Sequence, residues 1–349
     1  MTEAAVVLAA GRGSRFEGAG HKLRAEIDGT AMLLRTVNAA RAAGYDDVVV
    51  VVGDDDFADL LPSDVLVIRN PDWAEGQSTS LQAAAAHARA HGHDAFVVSV
   101  ADQPLVGVRA WRAIRGVAAT PIIVSLFDGL RRTPTRLAAE IWDRLPSRGD
   151  AGARGLISEH PELVTTIPSF GDPTDVDTVE ALEVVQKLAV DRRRVSELLG
   201  REPQGAFAVV VRDATGGPVV LRNAPILHDG TPMPTLYWLC GERENVLVGR
   251  LESMGGVRRA EAEVGLDAIA DAHDRYREER DAALDAMPLQ PQHRPSGGVG
   301  GTRTGVKCLH AHYGWWLAGG DDPVGEWVAE HLHEVDRPDW PAASREDNE

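Results

Sequence analysis

The sequence predicts an α/β protein, with a mostly parallel sheet covered by helices on both faces, followed by a smaller α+β domain. Three observations carry this. Short Val- and Ile-rich runs alternate with helix-like segments from residue 4 to about residue 190. Strand, helix, strand at this spacing reads as βαβ units. The strand-like runs are continuously apolar, the pattern of strands buried on both sides. Finally, 349 residues exceed the roughly 100–200 of an ordinary domain, so two domains are expected.

The expected strands of the first half are 4–8, 47–52, 65–68, 95–100 and 121–126, and the expected helices are 30–43, 77–90, 108–117 and 137–145. Near residues 191–205 the texture changes. Asp191-Arg192-Arg193-Arg194 is a charge cluster, and Gly200-Arg201-Glu202-Pro203-Gln204-Gly205 is rich in chain breakers. The expected domains are therefore 1–190 and 191–335, with a flexible tail at 336–349. The second half reads as strands at 206–211, 219–221 and 235–239 and a long polar helix at 266–287. A Pro/Gly loop at 288–301 and a compact apolar segment at 306–317 complete it. His273 and Tyr276 read as a surface pair about one helical turn apart.

Composition excludes several function classes. The net charge of −17 opposes general electrostatic binding of nucleic acid. Any phosphate must be met locally, by a few cations, backbone N–H groups or a metal. No apolar run approaches the ~18 residues of a membrane helix. The opening residues lack a basic region ahead of their apolar stretch, so no secretory signal is expected. Only Cys240 and Cys308 occur, which excludes a disulfide framework. A cytoplasmic location is expected.

The first strand runs into Ala9-Ala10-Gly11-Arg12-Gly13-Ser14-Arg15-Phe16. Glycines here permit turns that aim successive N–H groups at one anion, and Arg12, Arg15 and Lys22 add cations. A tight strand-to-helix turn with surface charges is the structural alternative. Two familiar phosphate loops do not fit. The Gly-x-x-x-x-Gly-Lys-Ser/Thr pattern is absent, and Phe16 holds the third glycine position of the dinucleotide fingerprint. Asp102 lies just past the strand 95–100, where open α/β sheets bind ligands. Asp177 precedes a helix, where it could act as an N-cap, a metal ligand or both.

These residues reach a resemblance. Leu8-Ala9-Ala10-Gly11-Arg12-Gly13-Ser14-Arg15-Phe16, then His21-Lys22-Leu23, resembles the signature of the nucleotidyltransferase family that includes molybdenum cofactor cytidylyltransferase. Asn70-Pro71 with Gly76-Gln77-Ser78-Thr79-Ser80-Leu81, Ala101-Asp102-Gln103-Pro104, Gly149-Asp150-Ala151-Gly152-Ala153-Arg154 and Asp175-Val176-Asp177-Thr178 resemble further segments of that family, in the same order. The resemblance spans about residues 4–185. It implies a Rossmann-like, nucleotide-diphospho-sugar transferase type of fold. It also implies transfer of a nucleoside monophosphate to a phosphorylated small-molecule acceptor, such as molybdopterin, with release of pyrophosphate.

By the same resemblance, Leu8, Ala9, Ala10, Gly11, Arg12, Gly13, Ser14, Gly76, Ser78 and Ser80 would contact the nucleotide. Lys22, Arg15 and Asp102 would be catalytic, and Asp102 and Asp177 would hold Mg²⁺. Leu8-Ala9-Ala10-Gly11 favours CTP. Arg132-Thr133-Pro134 departs from the family's Gly-Asn-Pro on the acceptor side, which keeps a sugar 1-phosphate or a phospholactate open as acceptor. A catalytically silent nucleotide-binding regulatory module is the reading from another class. A molybdoenzyme, or the other half of the chain, is the expected contact.

In the second half, Cys240, Cys308 and His310, with His312 nearby, could form a tetrahedral metal site. Buried packing is the competing reading, since free Cys is among the most buried residue types. Residues 192–330 resemble a bacterial domain family of unknown function through Asp229-Gly230-Thr231-Pro232-Met233-Pro234 and Val306-Lys307-Cys308-Leu309-His310-Ala311. The Cys-Pro-Cys-Gly of that family is Asp213-Ala214-Thr215-Gly216 here.

Overall fold

A computed structural model describes residues 1–18, 20–287 and 291–337. Most of the tail read at 336–349 lies outside the described residues. The chain divides into two compact units, Met1–Val190 and Asp191–Glu349.

The first unit opens with β1 (Glu3–Ala9). A small hairpin, β2 (Glu26–Ile27) and β3 (Thr30–Ala31), leads into α1 (Met32–Ala42). Then follow β4 (Asp47–Val52), β5 (Leu66–Arg69), α2 (Gln77–Ala90), β6 (Ala95–Val100) and α3 (Val108–Ile114). The unit continues with β7 (Ile122–Phe127), β8 (Leu130–Ala138), α4 (Arg154–Glu159), β9 (Val164–Pro168) and the start of α5 (Val179–Leu199).

Seven strands form one sheet in the order β5-β4-β1-β6-β8-β7-β9. β1 pairs parallel with both β4 and β6, whereas β8 runs antiparallel to both of its neighbours. Parity along β1 sorts its side chains. Ala5 and Val7 join a core with α1 and Trp111, whereas Ala4 and Val6 join one with α2 and Trp142. Both faces are covered, which is why the central positions of these strands are almost all apolar. The strand order reverses between β1 and β6. In open α/β sheets the crevice beyond the carboxyl ends of strands at such a switch point is where ligands bind.

One expected helix of this half is a strand end and a 3₁₀ segment instead, and two strands, β8 and β9, join the expected ones. Residues 137–145 are not an α-helix: Leu137 and Ala138 end β8, and Ala139–Arg144 is a 3₁₀ segment. Their helix-like apolar spacing arises because Leu137 pairs with Phe96 and Ile122 across the sheet, while Trp142 folds back and donates its Nε1–H to Leu137 O. β8 itself was hidden by Arg131, Arg132 and Pro134, and β9 is an edge strand with weak apolar patterning.

The second unit has a three-stranded antiparallel sheet of β10 (Phe207–Arg212), β11 (Pro218–Asn223) and β12 (Tyr237–Leu239). It is followed by α6 (Glu242–Ser253), α7 (Gly256–Val264), α8 (Leu266–Asp285), α9 (Leu309–Leu317) and α10 (Pro323–His331). One core joins Leu239, Leu251, Tyr276, Trp315 and Trp327. His273 and Tyr276 are buried rather than a surface pair. Tyr276 Oη accepts from Leu236 N, and Val299 N donates to His273 Nδ1. No helix among the described residues is long and apolar enough to cross a membrane.

Candidate active site

The cavity at the switch point, of about 220 Å³, is lined by the end of β1, the loop after it, and acidic side chains from two other segments. Leu8, Ala9, Gly11, Gly13, Ser14 and Arg15 come from the first segment. Gly13 has a φ of 62°, a left-handed conformation that a side chain would resist. A Cβ there would also sit 3.3 Å from Lys22 Cγ. At Gly11 a Cβ would meet nothing within 4 Å, so this stretch of backbone faces open space. His21 tethers the loop. Its Nδ1 accepts from Leu23 N, which leaves Nε2 to donate to Gly11 O at 3.3 Å.

Lys22 lies across the cavity floor. Its Nζ donates to Asp102 Oδ2 at 2.7 Å and to Asp177 Oδ1 at 2.9 Å. Asp177 Oδ2 also meets Arg15 at 2.9 Å. The residues Lys22, Asp102 and Asp177 are 80 and 155 positions apart along the chain, yet one ammonium holds both carboxylates. Burial by itself would lower the Lys22 pKa. The charges and hydrogen bonds of Asp102 and Asp177 outweigh it, so the ammonium is held above the usual lysine range.

A third carboxylate stands behind these two. Asp175 accepts from Gln103 Nε2 at 2.8 Å, and Thr133 Oγ1 donates to Gln103 Oε1 at 2.6 Å. Burial pushes the Asp175 carboxyl up. Gln103 opposes that shift, and the charges of Asp102 and Asp177 reinforce it. Sequence reasoning did not single out Asp175, Gln103, Thr133 or His21 as site residues. The Gln103-Pro104 and Asp175-Val176-Asp177 neighbourhoods were the available signals.

Other candidates lie elsewhere. Ala10 and Arg12 do not line the cavity; the Arg12 guanidinium sits 5.0 Å over the Trp73 ring. Gly76, Ser78 and Ser80 do not line it either. A Cβ at Gly76 would come within 2.4 Å of Gly149 C, and Ser78 N donates to Gly149 O at 3.0 Å. Ser80 is buried and its Oγ accepts from Asn70 Nδ2 at 3.0 Å. In this structure the serine run packs the start of α2 against the 149 loop.

The metal set expected in the second unit is not assembled. Cys240 is buried with Val195 and Leu221, and burial, then the Glu244 charge, pushes its thiol up to about 12. Burial raises the Cys308 thiol as well. A thiol must ionise to bind metal, so both environments oppose the role. His310 is held by Glu252 at 3.1 Å and by Asn245 O at 3.3 Å, and Glu252 also accepts from Leu309 N at the start of α9. Nearby, His312 pairs with the buried Asp322 at 2.7 Å, which caps α10 through Val324 N and Gly325 N.

Residues 5–164 match the MobA-like NTP transferase domain. Residues 209–330 match the protein family of unknown function DUF501. Of the residues lining the cavity, those from Leu8 to Leu23 together with Ala101 and Asp102 fall within the matched span, and Asp177 lies beyond it. A bifunctional GlmU protein from Caulobacter vibrioides is 31% identical over 131 residues, 36% of this chain and 25% of that protein. The chain therefore spans about a quarter of that relative's length. Among solved structures, a nucleotidyl transferase from Methanothermobacter is similar at 24% identity and a TM-score of 0.48, covering 54% of this chain and 98% of that one. A Mycobacterium tuberculosis protein solved in complex with manganese is similar at 26% identity and a TM-score of 0.45, covering 54% of this chain and 99% of that one.

Proposed function

We propose that the MobA-like domain transfers a nucleoside monophosphate, CMP from CTP, onto a phosphorylated small-molecule acceptor and releases pyrophosphate. The observation that carries the reading is Lys22 Nζ between Asp102 and Asp177, beside the backbone of Gly11 and Gly13. Phosphoryl-type transfer needs little covalent work from a protein; alignment and charge neutralisation dominate. A glycine loop with exposed backbone, an adjacent arginine and a buried lysine supply both for a polyphosphate.

The donor set fits Mg²⁺. Two carboxylates that reach one ammonium can also reach one divalent ion, and Mg²⁺ favours carboxylate, phosphate and water oxygens. Asp102 and Asp177 would hold it, and when bound it would neutralise polyphosphate charge. The chain's own residues do the rest. The loop backbone orients the β and γ phosphates, Arg15 adds charge from the rim, and Lys22 offsets charge developing at the α-phosphate. Gln103 is held by Thr133 and Asp175; since the resemblance puts Arg132-Thr133-Pro134 on the acceptor side, Gln103 would border a bound acceptor, and a molybdopterin-type phosphate is the acceptor we favour.

The test is a panel of triphosphates and phosphorylated acceptors read by pyrophosphate release. CTP with Mg²⁺ is expected to turn over and to raise the melting temperature, because only bound ligand stabilises the fold. A shift with GTP alone would overturn the cytidylyl assignment. Pyrophosphate release that survives Asp102→Asn undiminished would remove Asp102 from the site.

A further inference from the structure

The end of the sheet opposite the cavity carries a second group of donors that nucleotidyl transfer does not use. Asp47 opens β4, His93 lies two residues before β6, and His87 sits in the last turn of α2. His93 Nε2 is 2.8 Å from Asp47 Oδ2, and His87 Nε2 is 3.5 Å from the same oxygen. One donor atom from each of the three residues lies within 4.8 Å of the others. Among the described residues, no other group of three or more His, Cys, Asp or Glu side chains has this spacing.

The burial is uneven in an informative way. The His93 side chain is 5% exposed and that of His87 10%, whereas Asp47 is 28% exposed and opens the group to solvent. His87 Nε2 and His93 Nδ1 are both buried without a hydrogen-bond partner among the described residues. Buried polar atoms are nearly always paired. His87 Nε2 makes no hydrogen bond among the described residues and reaches Asp47 Oδ2 only at 3.5 Å, so the nitrogen that faces the shared oxygen is the one left for an ion. The group is also braced from outside. His91 Nδ1 donates to His87 O at 2.9 Å, and its ring stacks on His87 with centroids 4.0 Å apart.

We propose that Asp47, His87 and His93 bind a divalent transition metal of the zinc class, at a site separate from the nucleotide cavity. Imidazole nitrogen suits zinc and its neighbours, whereas Mg²⁺ takes oxygen ligands. The separations of 2.8 and 3.5 Å bracket the edge of about 3.3 Å of a tetrahedron with zinc–nitrogen bond lengths. Three protein ligands leave one position for water. The ligands come from the start of β4, the end of α2 and the loop before β6, so the ion would tie that helix to two parallel strands. Six-residue strands hold this end about 20 Å from the carboxyl end of the sheet. The site stands independently of the nucleotidyl-transfer reading.

The test uses the full chain stripped with a chelator and titrated with Co²⁺ and then Zn²⁺. One equivalent of Co²⁺ is expected to give the visible absorption of a tetrahedral, nitrogen-ligated ion, and Zn²⁺ is expected to displace it and raise the melting temperature. The signal is expected to persist when Asp102 and Asp177 are both changed to Asn. It is expected to weaken at least about tenfold in affinity in His93→Gln and in His87→Gln. If His93→Gln does not fold, His87→Gln, followed by circular dichroism, decides. Absence of a nitrogen-ligated cobalt spectrum in the wild-type chain would overturn the site. So would a spectrum lost with the Asp102/Asp177 pair but kept in His87→Gln.

Discussion

The two ends of one sheet hold different chemistry. Past the carboxyl ends of β1 and β6, Asp102 and Asp177 share the Lys22 ammonium under a glycine loop. At the amino ends of β4 and β6, Asp47 faces His93 and His87. Strand ends gather side chains in both places, because parallel strands deliver their connecting loops in two separate layers. The difference lies in what completes each group. The carboxyl end already contains a cation, so its carboxylates are compensated and a polyphosphate ligand adds to a charged, open cavity. The amino end leaves His87 Nε2, beside the Asp47 carboxylate, without a hydrogen bond among the described residues. One arrangement suits an anion and a hard ion, the other a borderline metal.

The largest expected effect tests whether charge at the amino end is always ligand-related. Glu3, at the start of β1, pairs with Arg136 at 2.6 Å with both side chains 3% exposed, and it also accepts from Gly116 N. This pair is complete without a ligand. Glu3→Ala is expected to lower unfolding free energy by about 3–5 kcal/mol in urea titrations, because it strands a buried guanidinium. A loss below ~1 kcal/mol would show the pair behaving as a surface ion pair.

Next comes Asp102→Asn, expected to cut pyrophosphate release by at least about a hundredfold, in line with removal of a single electrostatic group at a reacting centre. Circular dichroism and melting should show the fold retained. At the other end, Zn²⁺ at about a hundred times its Kd is expected to stabilise the wild-type chain by about 2.7 kcal/mol. His93→Gln is expected to abolish most of that gain in the same melting experiment.

The smallest effect is a pH dependence. Asp175 is raised in the folded state, so the folded chain holds that proton more tightly than the unfolded one. Its contribution to stability therefore falls as pH rises through the folded value. Lys22→Met removes the ammonium that faces Asp102 and Asp177. The variant is expected to lose about 1–2 kcal/mol more than wild type as pH rises from about 4 to about 8. Urea unfolding at the two pH values measures it. In the wild type the Lys22 contribution is retained through this window, because its raised pKa moves its loss to pH above the usual lysine range.

Much of the first unit was legible because period and composition report burial directly. The central positions of β1, β4 and β6 are almost all apolar since helices cover both of their faces, and α2 runs from Gln77 to Ala90 as its spacing predicts. β8 was not legible. Its arginines and Pro134 obscure the strand, and only its pairing between β6 and β7 makes it one. The glycine loop, Lys22, Asp102 and Asp177 were readable as separate motifs. The histidines of α2 and its following turn carried a weaker signal, a His87–His91–His93 run that acquires meaning only beside Asp47. The Cys240, Cys308 and His310 set misled for the converse reason. Cys308 and His310 lie close in sequence and Cys240 shares their chemistry, but packing turns Cys240 toward Val195 and His310 toward Glu252.

The sequence by itself determined the βαβ alternation, the covered strands, the glycine turn and the acidic positions after the strands, because these depend on local periodicity and backbone conformation. Only the tertiary structure decided which distant side chains share one charge or one ion. Spacings of 80 and 155 residues between Lys22 and its carboxylates leave no local trace. Strand order and the strand ends bring them within 3 Å of one nitrogen.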